Sequence, residues 1–362
     1  LIIGIIGLPQ SGKTTLFNAL CGTHQETGGY TAKGEVHRGV VKVPDPRIDV
    51  LVEIYSPKKI THAEIEWMDV AGFTGDVSDR NKLDTEIPNA IRQADAIAHV
   101  VRAFEDANLP HVKGSIDPER DIRLIEEELI ISDLVTVEKR LERLDKLLRV
   151  TPDDSMKREK AIIDRCYEQL SSNKPLRDLD LLPDEEKTIR CFQFLSIKPM
   201  LLVLNISEAD MPKRAAILQD FSQHTKPNAC AVEAVSAKVE MELAEFGEED
   251  RAIFMNELGV TQSALDRVIR SSYDLMGLIS YLTGGEKEVH AWTIKRGMTA
   301  PKAAAVIHKD FETGFIKAEV IPYEKLSQVM SESEAKKHGW MRLEGKEYIV
   351  QDGDVIFFRF NL

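Results

Sequence analysis

Several things are scarce in this sequence, and each scarcity removes a class of protein. Only four cysteines occur (Cys21, Cys166, Cys191 and Cys230), far apart and without a CxxC pair. That leaves no disulfide framework and no cysteine-based zinc site, and it fits a reducing, cytoplasmic setting. No apolar run approaches the roughly 18–20 residues needed to cross a bilayer, so no membrane span is expected. No signal-peptide pattern is present either. Positive charge is outweighed, with 47 Lys and Arg against 60 Asp and Glu for a net charge of −13. Such a chain is not suited to broad nonspecific binding of nucleic acid, and no sequence-specific DNA contact is expected. What is present is a globular composition, 43% hydrophobic and 30% charged, over 362 residues. That length suits two or three domains.

The chain is organised around Gly7-Leu8-Pro9-Gln10-Ser11-Gly12-Lys13-Thr14. An apolar run, Leu1 to Ile6, precedes it, and Thr15-Leu16-Phe17-Asn18-Ala19-Leu20 follows. Strand, glycine-flanked loop and helix form the context a Walker A phosphate loop needs. Gly7 and Gly12 free the backbone so that successive N–H groups face one concavity, and a helix opening near Lys13 adds its positive end. Lys13 can then reach β- and γ-phosphates, and the Thr14 hydroxyl can ligate Mg²⁺.

Downstream stretches extend this pattern. The polar, glycine-rich segment Thr23–Gly39 reads as a loop, in which Thr31 is either a metal ligand or part of a plain surface loop. Ala63 to Met68 alternates like a strand and ends in Asp69-Val70-Ala71-Gly72. A carboxylate at a strand end can hold the Mg²⁺ shell, and the Gly72 N–H can meet a γ-phosphate. Alone, Asp-x-x-Gly marks an ordinary turn; behind a strand and after a Walker A loop, the functional reading is favoured. Ala94–Arg102 is a buried-strand run, and the loop after it carries His111, which read bare is a solvated histidine.

Pro199–Asn205 and Ala229–Val235 are further parallel-type strands. They end in Asn205-Ile206-Ser207-Glu208 and Ser236-Ala237-Lys238, where nucleotide-switch proteins read the base. Ile206 stands where guanine readers carry Lys, and Glu208 where they carry Asp. The guanine lock is thereby loosened, without Glu208 becoming an adenine reader. Between these strands and the first ones, Ile130, Leu134, Val137, Leu141, Leu144 and Leu148 form a heptad seam. Thr151 to Asp154 breaks it, and Ile163, Cys166 and Leu170 lie on a return helix, so an antiparallel hairpin is expected. The last part has its own core pattern, with Thr299 as an N-cap and strands expected at 318–321, 348–350 and 355–360.

With these stretches in view, the chain resembles the YchF/Obg-like ATPases of the phosphate-loop GTPase class. The resemblance rests on Gly7–Thr15, Val43-Pro44-Asp45-Pro46-Arg47, Asp69–Gly72, Asn205–Glu208, Ser236–Lys238, Tyr281–Phe315 and the ending Asp352–Phe360. It implies an α/β phosphate-loop NTPase domain (residues 1–125 and 199–277), a helical coiled-coil insert (126–198) and a C-terminal ubiquitin-like β-grasp (TGS) domain (278–362). It further implies ATP hydrolysis in preference to GTP, and association with ribosomes and with stress or redox responses. Phe73 matches the family's hydrophobic residue where many GTPases carry a water-orienting Gln. His111 matches a loop histidine assigned a catalytic role. One segment departs: the family's switch threonine falls on Lys33, which cannot ligate a metal in its charged form, leaving Thr31 as the candidate. The expected function is Mg²⁺-dependent ATP hydrolysis working as a switch. The rivals are a GTP-preferring ribosome-assembly GTPase and a nucleotide-sensing scaffold with negligible hydrolysis.

Overall fold

The computed structural model describes residues 1–23, 36–70, 89–150, 153–227, 229–247, 253, 255 and 263–361. Thr31, Lys33, Gly72 and Phe73 lie outside them.

The first sheet contains β1 (Ile2–Ile6), β2 (Val36–Lys42), β4 (Glu64–Val70), β5 (Ala96–Ala103), β6 (Met200–Ile206) and β7 (Cys230–Val235), in the order β2-β4-β1-β5-β6-β7. Strands β4, β1, β5, β6 and β7 run parallel to one another. Their near-continuous apolar runs follow from burial on both faces, which β-branched and leucine side chains satisfy. Register sets Ile5 opposite Asp69, Ile6 opposite His99, and Arg102 opposite Asn205. The loops after these strands therefore share the carboxyl edge, where open α/β sheets bind ligands.

The long helix Pro118–Val150 begins well before residue 126, the expected start of the insert. Asp117 explains the early start: its Oδ1 accepts the Arg120 N–H at 3.0 Å, with Pro118 in the first helical position. The helix's opening turns (Ile122, Ile125, Leu129) pack on the sheet beside Ile97, Val101 and Leu202. Only its later part pairs with the return helix Asp154–Ser171, where Ile130 and Val137 meet Ile163 and Cys166. The Arg140–Glu159 pair, at 2.6 Å, lies across the same two helices. Asp153 caps the return helix by accepting the Met156 N–H at 2.9 Å.

Chain contacts group residues Leu1–Gly39 with Glu66–Val268, and Val40–Ile65 with Ile269–Leu362. This differs from the sequence-based division, which placed 40–65 with the nucleotide domain and began the last domain at 278. In the second unit, β3 (Ile60–Thr61), β8 (Leu278–Thr283), β9 (Val289–Lys295), β10 (Phe315–Pro322), β11 (Arg342–Glu344) and β12 (Asp354–Phe360) form a sheet in the order β11-β10-β12-β8-β9-β3. β3 runs parallel to β9. Helix α2 (Arg47–Tyr55) belongs to the same unit. Its Arg47 clamps Asp45 at 2.7 Å and Asp352 at 2.9 Å, and Asp352 in turn accepts the Ser280 N–H at 2.9 Å.

The strand expected at 348–350 is not one. Only Ile349 makes a bridge, to Thr299. The backbone there is satisfied by a turn segment instead: Ala300 N donates to Tyr348 O at 2.8 Å, and Val350 N to Met298 O at 3.1 Å. Thr299 does precede the helix Ala300–Ile307, but its side chain makes no capping bond.

Candidate functional site

The loop between β1 and helix α1 (Lys13–Cys21) is shaped by positive φ angles, 149° at Gly7, 62° at Gln10 and 95° at Gly12. A Cβ on Gly7 would lie 2.3 Å from the Val100 carbonyl oxygen, and one on Gly12 would lie 2.2 Å from Asn205 Nδ2. Both positions thus require glycine on two counts, conformation and space. Leu8 and Pro9 lead into the turn, where Ser11 N donates to Leu8 O at 3.3 Å. Thr15 follows Thr14 in the first turn of α1.

Lys13 Nζ donates to the carbonyls of Gly7 and Leu8, each at 2.9 Å, so the ammonium lies over the loop. Burial lowers its pKa from 10.5 to about 8, with the Asp69 carboxylate opposing that shift. Thr14 Oγ1 donates to Asp69 Oδ2 at 2.8 Å, while Asp69 Oδ1 is buried and without a hydrogen-bond partner. A hydroxyl and a half-unsatisfied buried carboxylate, side by side next to a lysine, form a donor set that suits hydrated Mg²⁺.

Asn205 joins the phosphate loop to the base-side loops. Its Nδ2 donates to Ser11 O at 2.9 Å, and its Oδ1 accepts the Ala237 N–H at 3.0 Å. Ser236 is buried at the head of helix Ala237–Glu245, whereas Lys238 is exposed near Glu242. Glu208 is exposed at the start of a 3₁₀ turn, Glu208–Lys213. Ile206 is 3% exposed and packs in the core under the sheet, so it offers nothing to a base.

His111 is not a solvated side chain. Only 3% of it is exposed, and its Nε2 lies 2.9 Å from Asp121 Oδ2. Its Nδ1 accepts the Lys113 N–H at 3.1 Å, which places the ring proton on Nε2, facing Asp121. Arg120 holds the same carboxylate through Oδ1 at 2.8 Å. Asp121 was missed in the sequence; reading Asp117-Pro118 as a helix start would have placed it in the first turn. His99 was missed too. It is buried, with neither ring nitrogen hydrogen-bonded, and register sets it opposite Ile6, the residue before Gly7. Burial first, then the charges of Lys13 and Arg177, push its pKa down to about 3, so it is neutral.

The chain is 42% identical over 365 residues to the ribosome-binding ATPase YchF of Bacillus subtilis (strain 168), covering 100% of each chain. The chain belongs to the YchF family. Another YchF relative, the ribosome-binding ATPase of Escherichia coli O157:H7, is 42% identical over 360 residues, with 99% of each chain covered. Among solved structures, the YchF GTPase of Schizosaccharomyces pombe is 33% identical, with a TM-score of 0.82 over 99% of this chain and 97% of that one. Residues 2–139 match a model of the 50S ribosome-binding GTPases, and residues 278–361 match the YchF-GTPase_C model, described as a protein of unknown function. The YchF assignment accounts for the phosphate-loop α/β domain, the helical hairpin and the C-terminal unit together. Among the described residues, no helix is long and apolar enough to cross a membrane.

Proposed function

We propose that this chain is a cytoplasmic, Mg²⁺-dependent nucleoside triphosphatase that prefers ATP to GTP and acts as a nucleotide-controlled switch on the ribosome. The observation that carries the hydrolase reading is the pairing of Thr14 with Asp69 at 2.8 Å, beside a lysine folded over its own glycine loop. Bound Mg²⁺ would neutralise charge building on the β- and γ-phosphate oxygens. Thr14 and Asp69 would hold it, with Thr31 as a further ligand. The backbone N–H groups of residues 7–15, Pro9 excepted, and of Gly72 would cradle the phosphates, and Lys13 would contribute a positive charge there. Asn205, Glu208 and Ser236–Lys238 would border the base.

The preference for ATP rests on what the base side lacks. Ile206 is turned into the core and Glu208 is longer than aspartate, so the paired carboxylate contact that selects guanine is weakened. His111 supplies the water-orienting group in this reading, which requires it to give up either its 2.9 Å approach to Asp121 or its hydrogen bond from the Lys113 N–H. Ribosome attachment is proposed from the names of the full-length relatives. Multiple-turnover phosphate release with ATP and GTP at equal concentration, with and without ribosomes, tests the whole reading. Faster release from ATP, altered by ribosomes, is expected. Faster release from GTP would favour the GTPase alternative, and negligible release from both would leave only a nucleotide-sensing scaffold.

A further inference from the structure

A cavity of about 410 Å³ opens on the first unit, and no step of nucleotide binding uses it. Met200 and Cys230, the first residues of β6 and β7 and register partners, line it. It therefore lies toward the amino edge of the sheet, at the opposite end of β6 from Asn205. Ile122, Ile130, Pro175 and Leu202 supply apolar wall. Its volume falls within the roughly 300–1,000 Å³ typical of small-ligand sites.

One polar group in that wall is unfinished. Arg177 Nε donates to Lys198 O at 3.0 Å, and Nη1 donates to both oxygens of Glu126 at 2.7 Å. Its side chain is only 6% exposed, yet Nη2 is buried without a partner. A buried N–H on a charged group loses more by staying unpaired than a typical hydrogen bond contributes, so it favours any acceptor that fits. We propose that this cavity binds a neutral, largely apolar molecule that presents one carbonyl or amide oxygen to Arg177 Nη2.

Neutrality follows from the charges around the cavity. Glu126 already offsets the guanidinium, His224 pairs with Glu119, and Lys226 pairs with Asp178. An anionic head would meet Glu119, Glu126, Glu127 and Asp178 against Arg123, Arg177 and Lys226. With those three pairs formed, Glu127 and Arg123 are left and cancel, so no net positive charge draws a carboxylate, while an amide oxygen is still accepted by the open N–H.

Cys230 reports occupancy from inside the cavity. Its thiol is half-buried, and burial pushes its pKa up to about 11, so alkylation is slow. The full-length protein is treated with iodoacetamide at alkaline pH, and the Cys230 and Cys191 peptides are followed by mass spectrometry. N-hexylacetamide, with half-saturation at roughly 1–10 mM for a ligand of its size, is expected to slow alkylation of Cys230. Exposed Cys191 should react unchanged, and octanoate should give no protection. Arg177→Lys keeps a cation for Glu126 but removes Nη2, and should raise the amide concentration needed by about tenfold. Equal protection by octanoate, or a Lys variant protected like wild type, would overturn the proposal. No protection by the amide in the wild-type protein would mean that water alone completes Arg177, and would overturn it as well.

Discussion

Lys13 offers a test that needs no mutation. Its ammonium is buried against the Gly7 and Leu8 carbonyls, and its pKa lies at about 8 rather than 10.5, because burial outweighs the Asp69 charge. Nucleotide phosphates favour the ammonium form, so binding must raise that pKa, and above pH 8 binding must take up a proton. Affinity is therefore greatest below the free-loop pKa and falls as pH rises through it. At pH 7 about a tenth of the free loops would be neutral and at pH 9 about nine-tenths, so affinity should fall about tenfold, or ~1.4 kcal/mol. The phosphate groups themselves change little in this window, their second pKa being near 6. Folding stability should move the other way. A lysine whose folded pKa is depressed destabilises the folded state below about 8, and that cost lifts as pH climbs toward 10.5. Calorimetric titration of ATP in buffers of different ionisation enthalpy would read the affinity and the proton uptake together. Flat affinity from pH 7 to 9, with no proton taken up, would refute the burial argument for Lys13.

Asn205→Ala leaves the Ser11 carbonyl and the Ala237 N–H without partners, at about 2–4 kcal/mol; calorimetry should show Tm lower by roughly 5–10 °C, and a shift under one degree would remove Asn205 as the bridge. His111→Ala should lower kcat by roughly 10- to 100-fold with ATP affinity nearly unchanged; an unchanged single-turnover rate takes His111 out of the chemistry. Glu208→Asp, at an exposed position that spares the core, should raise GTP affinity relative to ATP by about tenfold, read by competition with a labelled nucleotide. An unaltered ratio would show that Glu208 does not border the base.

Local chemistry made the phosphate loop legible in advance. Gly7, Gly12, Lys13 and Thr14 are contiguous, and their loop needs no distant residue to take its form. The pairing of Asp69 with Thr14 was reachable because a strand carries the acid to the same sheet edge. Asn205 announced itself as a base-side residue, but its reach to Ser11 could not be read from spacing. Read bare, His111 looked solvated and is instead buried, for a definite reason: a loop residue's burial depends on the element folded beside it, here the helix that starts at Pro118. The Tyr348–Val350 run alternates correctly, but its backbone partners come from 298–300 and not from a neighbouring strand. Assigning residues 40–65 to the C-terminal unit required long-range pairing, β3 with β9 and Arg47 with Asp352, which no local pattern encodes.

That excursion has a genetic consequence. The chain leaves the nucleotide sheet along β2, contributes α2 and β3 to the second unit, and returns along β4 to Asp69. A stop codon ahead of Leu278 would delete β8 through β12 yet leave residues 40–65 in the translated product. Ile48 and Leu51, buried in the second unit, would lose their core, and Arg47 would lose Asp352. Such a truncation should give an aggregation-prone fragment rather than a free-standing nucleotide domain. Recombination meets the same obstacle, because exchanging the C-terminal unit demands a matching rewrite near the amino terminus. A protein wired in this way is inherited whole, in keeping with relatives that align along 99–100% of both chains.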